Sequence, residues 1–157
     1  MSSTISIRSF EPGDEIAFRA LNEAWIEKLF ALEEKDRATL GDPHKYVLAP
    51  GGRILMALDQ SRAVGCCALL HLDGVTVELG KMAVDESYRG RGIGRLLMAA
   101  AVSEARGLHA ERIYLETNSA LLPAIALYEA FGFTGVPPER QLASTFARVD
   151  LPMELRL

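Results

Sequence analysis

One stretch constrains the fold more than any other: Val84-Asp85-Glu86-Ser87-Tyr88-Arg89-Gly90-Arg91-Gly92-Ile93-Gly94-Arg95. It leads an apolar, strand-like segment through a basic turn into residues with helical apolar spacing. Glycines at 90, 92 and 94 remove every second side chain, so successive backbone N–H groups can converge on one anion at the positive end of the helix. Arg89, Arg91 and Arg95 add guanidinium groups that can pair bidentately with phosphate oxygens. The bare spacing would equally suit a tight strand-to-helix connection, so context decides. Two common phosphate loops are excluded by inspection. A Walker loop closes on Gly-Lys-Ser or Gly-Lys-Thr, and this turn closes on Gly94-Arg95-Leu96. A dinucleotide fingerprint begun at Gly90 or Gly92 would need glycine at 95 or 97, where Arg95 and Leu97 stand.

The flanking sequence orders the elements. Ile5 and Ile7 alternate with polar neighbours, predicting a first strand through about Phe10. After Glu11-Pro12-Gly13, Asp14 can cap a helix carrying Ile16, Phe18, Leu21 and Trp25 toward Phe30. The charged segment from Glu33 to Leu48 reads as helix end plus loop. Arg53 to Leu58 and Ala63 to Leu72 are strands joined by a hairpin at Asp59-Gln60-Ser61-Arg62, and Val75 to Val84 is the next strand. Ile93, Leu97, Ala101, Ala105 and Leu108 make one long helical stripe. Arg112 to Thr117 alternates as a strand, parallel to the one before that helix because a crossover separates them. Pro123 opens a helix over Ala124 to Phe131, which Gly132 ends. Phe133 to Val136 and Val149 to Leu157 are the last strands.

A chain of 157 residues with 49% hydrophobic residues suits a single domain, 1–157. Its net charge of −4 argues against a nucleic-acid partner, the arginines being a local concentration on an acidic body. No apolar run reaches the roughly 18 residues of a membrane span, and Met1-Ser2-Ser3-Thr4 lacks signal-peptide character, so a cytoplasmic protein with no membrane partner is expected. Cys66 and Cys67 are adjacent on a strand and point to opposite faces. Neither a disulfide, a zinc site nor a nucleophile follows from them, and no metal is expected. His44, His71 and His109 are scattered and are assigned no chemistry.

The arrangement Arg89-x-x-Gly92-x-Gly94 resembles the pyrophosphate-binding turn of the GNAT N-acetyltransferases, and Leu127-Tyr128-Glu129-Ala130-Phe131-Gly132-Phe133 resembles the Leu-Tyr-x-x-x-Gly-Phe signature on that family's fourth helix. Two motifs in the right order, together with the element order, extend the resemblance over nearly the whole chain. Glu78 to Val84, Leu115 to Ser119 and Leu21 to Ile26 further resemble a subgroup sometimes fused to MarR-type regulators, although no DNA-binding segment is apparent here. The resemblance implies an α+β (α/β) fold: a mixed, mostly antiparallel twisted sheet of six to seven strands, about four flanking helices, and a parallel pair of fourth and fifth strands at the cofactor cleft.

It also implies acetyl-CoA as co-substrate and an acyltransferase moving an acetyl group to a primary amine by direct attack in a ternary complex. The acceptor would be a small amine, an amino acid or a protein N-terminus. Such a transfer needs a neutral amine and a protonated leaving thiol, whose ordinary pKa values of ~10.4 and ~8.5 leave both proton moves in need of help. By resemblance, the backbone N–H of Met82 polarises the carbonyl and the Val84 backbone meets the pantetheine arm. The turn residues Arg89, Gly90, Arg91, Gly92, Gly94 and Arg95 hold the diphosphate. Glu78, four residues before Met82 and on the same face of a regular strand, matches the base position of several members, while a solvated strand glutamate is the plain alternative. Tyr128 matches the usual general acid and also contacts the cofactor, although its helical stripe equally suits core packing. Many members carry Asn where Leu121 stands, so Asn118 is the substitute pantetheine contact, or simply a turn former. Glu116 is a second candidate base. The acceptor is expected between the N-terminal helices and the loop before the last strand, near Trp25, Glu33, Glu34 and Asp36. The alternative function is a non-catalytic acyl-CoA-binding or sensor module. A homodimer through the last strands would be compatible with this order, though no residue pattern sets one.

Overall fold

A computed structural model describes residues 4–144 and 146–157; the reading of the first three residues therefore lies outside the described residues. The strands are β1 Ile5–Ser9, β2 Arg53–Asp59, β3 Arg62–His71, β4 Thr76–Val84, β5 Arg112–Thr117, β6 Thr134–Gly135 and β7 Leu151–Arg156. The helices are α1 Glu15–Leu29, α2 Glu34–Gly41, α3 Ile93–Gly107 and α4 Leu122–Ala130, with a π-helical turn at His44–Leu48. The strands form one sheet in the order β1-β2-β3-β4-β5-β7-β6, and every neighbouring pair is antiparallel except β4 and β5.

Alternation along the central strands divides the apolar residues between two cores. On β3, Cys67 and Leu69 face α3, where Ile93, Leu97, Met98, Ala101 and Ala105 are buried. Cys66 and Ala68 face the other way, onto Phe18 of α1 and Leu40 of α2. A methyl group at Gly65 would stand only 3.1 Å from Ile93 and 3.2 Å from Leu97, so a bare backbone there lets α3 lie close on the sheet. The cysteine reading holds: both thiols are fully buried on opposite faces, and burial pushes Cys66 up to about 12 and Cys67 higher still, which removes them as nucleophiles.

Several boundaries differ from the sequence expectation. The Glu33 to Leu48 segment is helical rather than a loop, because its acids form a reciprocal cap: the Glu33 carboxylate accepts from the Asp36 backbone and the Asp36 carboxylate from the Glu33 N–H. Asp14 occupies the cap position of α1 but does not cap it; its carboxylate accepts from Arg8 and from the Glu11 N–H. β6 keeps only two paired residues before the loop to β7.

Two irregularities in β4 position everything that follows. β4 and β5 pair only at Thr76, Val77 and Glu78 against Arg112, Ile113 and Tyr114, after which the strands part. On its other side β4 carries a bulge, since Ala68 pairs with Gly80 but Cys66 with Ala83. Lys81 sits in this bulge with φ +51, a left-handed conformation that a lysine rarely adopts. The extra residue resets the alternation. Glu78, Gly80 and Ala83 share the face of Leu70, Ala68 and Cys66, whereas the Met82 side chain packs on the α3 side. The expectation that Glu78 and Met82 share one face of a regular strand is thereby corrected.

Candidate active site

Where β4 and β5 part, a cavity of about 700 Å³ passes through the sheet. Its walls come from both faces: Glu78 and Lys81 on one side, Leu127 and Tyr128 of α4 on the other, with Met82, Val84 and Asn118 between them. Beyond Glu78 the β5-facing edge of β4 has no β5 partner. Its backbone groups at Met82 and Val84 therefore border the cavity without a ladder on that side.

The cavity ends at the glycine turn. Asp85 accepts from the Ser87 N–H and hydroxyl and from Arg62, tightening a single 3-10 turn that delivers Arg89 in extended conformation. Gly90 and Gly92 then take φ +78 and +77, and a Cβ at either would meet nothing within 4 Å. The chain is thus left-handed and open at both positions, which suits close approach of a ligand to backbone N–H groups at the start of α3. Gly94 serves differently: a Cβ there would stand 3.3 Å from Leu127, so its bareness lets α3 and α4 touch beside the cavity. Of the three arginines, Arg89 lines the cavity, while Arg91 lies over the Tyr88 ring at 4.7 Å and Arg95 over Phe131 at 5.9 Å. These last two sit on the rim, stacked and solvent-exposed.

Glu78 has no side-chain hydrogen bond among the described residues, and it is partly buried where the strands separate. Burial first, and then the nearby Glu116 carboxylate, push it up to about 7 against the pull of Lys35 and Lys81. Glu116 is itself tied down, accepting from the Tyr114 hydroxyl at 2.9 Å and the Ser144 hydroxyl at 3.3 Å. That leaves Glu78 the less engaged of the two carboxylates. Tyr128 packs its ring on Phe133 at 6.0 Å, and its hydroxyl has no hydrogen-bond partner among the described residues; burial raises it to about 12. Asn118 lines the cavity, yet both ends of its amide are occupied: it donates to the Arg148 carbonyl at 2.7 Å and accepts from the Ala120 N–H at 2.8 Å. This is the turn-forming use of asparagine.

Sequence reading missed one cluster. Asp36, expected near a charged helix end, is fully buried and binds Lys81 at 2.7 Å and both arms of Arg148 at 2.7 and 2.8 Å. Arg148 and Lys81 lie over the Phe146 ring at 4.4 and 4.9 Å. The carboxylate is held well below its usual range by these two cations. A lysine inside a strand was the available signal, but its partner lies 45 residues away. Among the described residues there is no group of three or more His, Cys, Asp or Glu able to hold a metal, and no helix long and apolar enough to cross a membrane.

Comparison with known proteins fits this geometry. Residues 14–133 match the Acetyltransferase (GNAT) family. The chain is 30% identical over 143 residues to a mycothiol acetyltransferase of Thermobispora bispora, covering 83% of this chain and 46% of that protein, so it spans about half the length of that relative. It superposes with a TM-score of 0.87 on a GNAT-family acetyltransferase from Staphylococcus aureus, at 20% identity over 98% of this chain and 99% of the other. A Salmonella typhimurium acetyltransferase solved with its cofactor acetyl-CoA gives 0.73 at 22% identity, covering 98% and 94%.

Proposed function

The chain belongs to the GNAT family of acetyltransferases, and from that premise we propose that it transfers an acetyl group from acetyl-CoA to a primary amine held at Glu78. The observation that carries this reading is the course of the cavity, which leads from the open glycine turn, through the gap between β4 and β5, to a carboxylate raised to about 7. The residues fit the cofactor: left-handed glycines leave room for a diphosphate, Arg89 adds charge, and 700 Å³ accommodates an extended arm. Bound acetyl-CoA supplies an activated acyl thioester. Arg91 and Arg95 add rim charge, and Asn118 shapes the wall.

The chain's own groups then have distinct tasks. Glu78, half-ionised near neutral pH, takes a proton from the incoming ammonium, directly or through one water. The Met82 N–H, on the unpaired edge of β4, is the donor placed for a carbonyl oxygen, and Val84 extends that edge toward the turn. Tyr128 keeps its proton throughout the neutral range. At about 12 it lies well above the ~8.5 of an ordinary thiol, so its hydroxyl acts chiefly as a hydrogen-bond donor to a sulfur and gives up its proton only uphill. Calorimetry with acetyl-CoA, followed by thiol release across a panel of primary amines, tests the reading. Micromolar binding and amine-dependent release are expected. Binding without release from any amine would overturn the catalytic part, and absence of binding would overturn the whole.

A further inference from the structure

The acceptor end of the cavity has a chemistry of its own. Its inner wall is acidic, with Glu78 and Glu116 on the same side of the gap. Its mouth is apolar. Leu29 at the end of α1, Leu72 just past β3 and Leu142 in the β6–β7 loop come from three separate parts of the chain, are 52%, 38% and 51% exposed, and line this one opening with Trp25, Phe30 and Phe146. Large apolar side chains left exposed singly need no explanation, but three that converge beside three aromatic side chains on one cavity form a surface for an apolar ligand. Of the cations bordering it, Lys81 and Arg148 are both bound to buried Asp36, so a ligand carboxylate would have to compete with Asp36 for them, and Lys35 lies over the Phe146 ring at 5.5 Å and on the Glu78 side of the gap.

We propose that the acceptor is a small primary amine bearing an apolar body of about aromatic size and no carboxylate beside its nitrogen. The ammonium end reaches the Glu78 and Glu116 side, and the apolar body fills the mouth between Trp25, Leu72 and Leu142. A diamine would press its second ammonium against those leucines. An amino acid would bring a carboxylate to a wall that already holds two acids. This inference rests on the acetyltransferase reading for the fate of the amine, but not for its binding.

The test is therefore a binding measurement made without acetyl-CoA. Calorimetry with 2-phenylethylamine, putrescine and phenylalanine gives affinities, and emission from Trp25, the single tryptophan, reports where the ligand sits. Phenylethylamine should bind at least ~10-fold tighter than either comparator and change Trp25 emission, in keeping with the 10- to 200-fold range of apolar-pocket discrimination. Leu72→Asp and Leu142→Asp, both at part-exposed positions, should each weaken phenylethylamine at least ~10-fold and improve putrescine relative to it, with acetyl-CoA affinity unchanged. Equal or tighter binding of putrescine or phenylalanine, binding that leaves Trp25 emission unaltered, or variants with unchanged selectivity would overturn the proposal. Failure of acetyl-CoA to bind would instead overturn the acetyltransferase reading and leave this measurement standing.

Discussion

Glu78 shows how one side chain's surroundings set both its chemistry and its cost. Its ordinary value of 4.5 belongs to the unfolded chain, and in the fold burial and Glu116 lift it to about 7. The folded protein thus retains a proton that the unfolded chain has released, so stability falls as pH rises from about 4.5 to 7 and is level above that. Glu78→Gln removes this penalty. It should be more stable than the parent at pH 8, by about 3 kcal/mol, with the difference vanishing near pH 4.5, as chemical denaturation at the two pH values would show. The same variant should lose about 100-fold in kcat together with the basic-rising limb near pH 7, because the group that must be ionised to accept the amine proton is gone. An unchanged pH profile would assign the base elsewhere. Tyr128→Phe removes only a hydroxyl that has no partner among the described residues; kcat should fall about 10-fold or more while acetyl-CoA affinity and melting temperature hold, as expected of a donor used in the transition state rather than in packing.

At the scale of elements, the junction between β4 and α3 was the most legible part of the sequence, because glycine at alternate positions leaves few backbone options. The structure resolves what spacing could not. Gly90 and Gly92 are left-handed, whereas Gly94 is helical and bare for the sake of Leu127. Gly92→Ala would force a side chain into φ +77 at the N-cap of α3, costing about 1–2 kcal/mol of local strain. Relaxation away from that conformation would turn the N–H groups from their common focus, so acetyl-CoA affinity should drop about 10-fold or more by calorimetry. Gly94→Ala, with helical backbone and a flexible leucine methyl as neighbour, should bind acetyl-CoA within a few-fold of the parent. Other elements were legible only in part. Helix α2 was hidden because its signal is a reciprocal pair of acids rather than an apolar stripe, and the bulge at Lys81 was invisible because nothing in Leu79-Gly80-Lys81-Met82 requires two residues to oppose one.

Across the whole molecule, the cavity depends on holding three distant pieces of chain together: α2, the bulge of β4 and the loop that leads into β7. Local patterns could not join these pieces, since the join is made by long-range charge. Asp36, Lys81 and Arg148 meet from three parts of the sequence, and Glu33 accepts from the Ala147 N–H beside them. The fully buried carboxylate is satisfied by two nearly buried cations, so its removal leaves both unpaired against one another. Asp36→Ala should destabilise the fold by about 3 kcal/mol, at the low end of the usual range for a broken buried pair because both cations retain some solvent contact. For a chain of this length that corresponds to a melting temperature lower by about 10 °C. The sign of its pH dependence follows from the depressed carboxylate: stability is fully present above the unfolded value of 3.8 and is lost as pH falls below it, so the gap between parent and variant should be constant from pH 5 to 8 and close in acid. Because the same carboxylate fixes the β6–β7 loop through Arg148, the variant should also raise the amine KM while leaving acetyl-CoA affinity intact, the glycine turn lying at the opposite end of the cavity. A variant that loses stability yet keeps its amine KM would show that the loop is positioned by its apolar contacts rather than by this ion cluster.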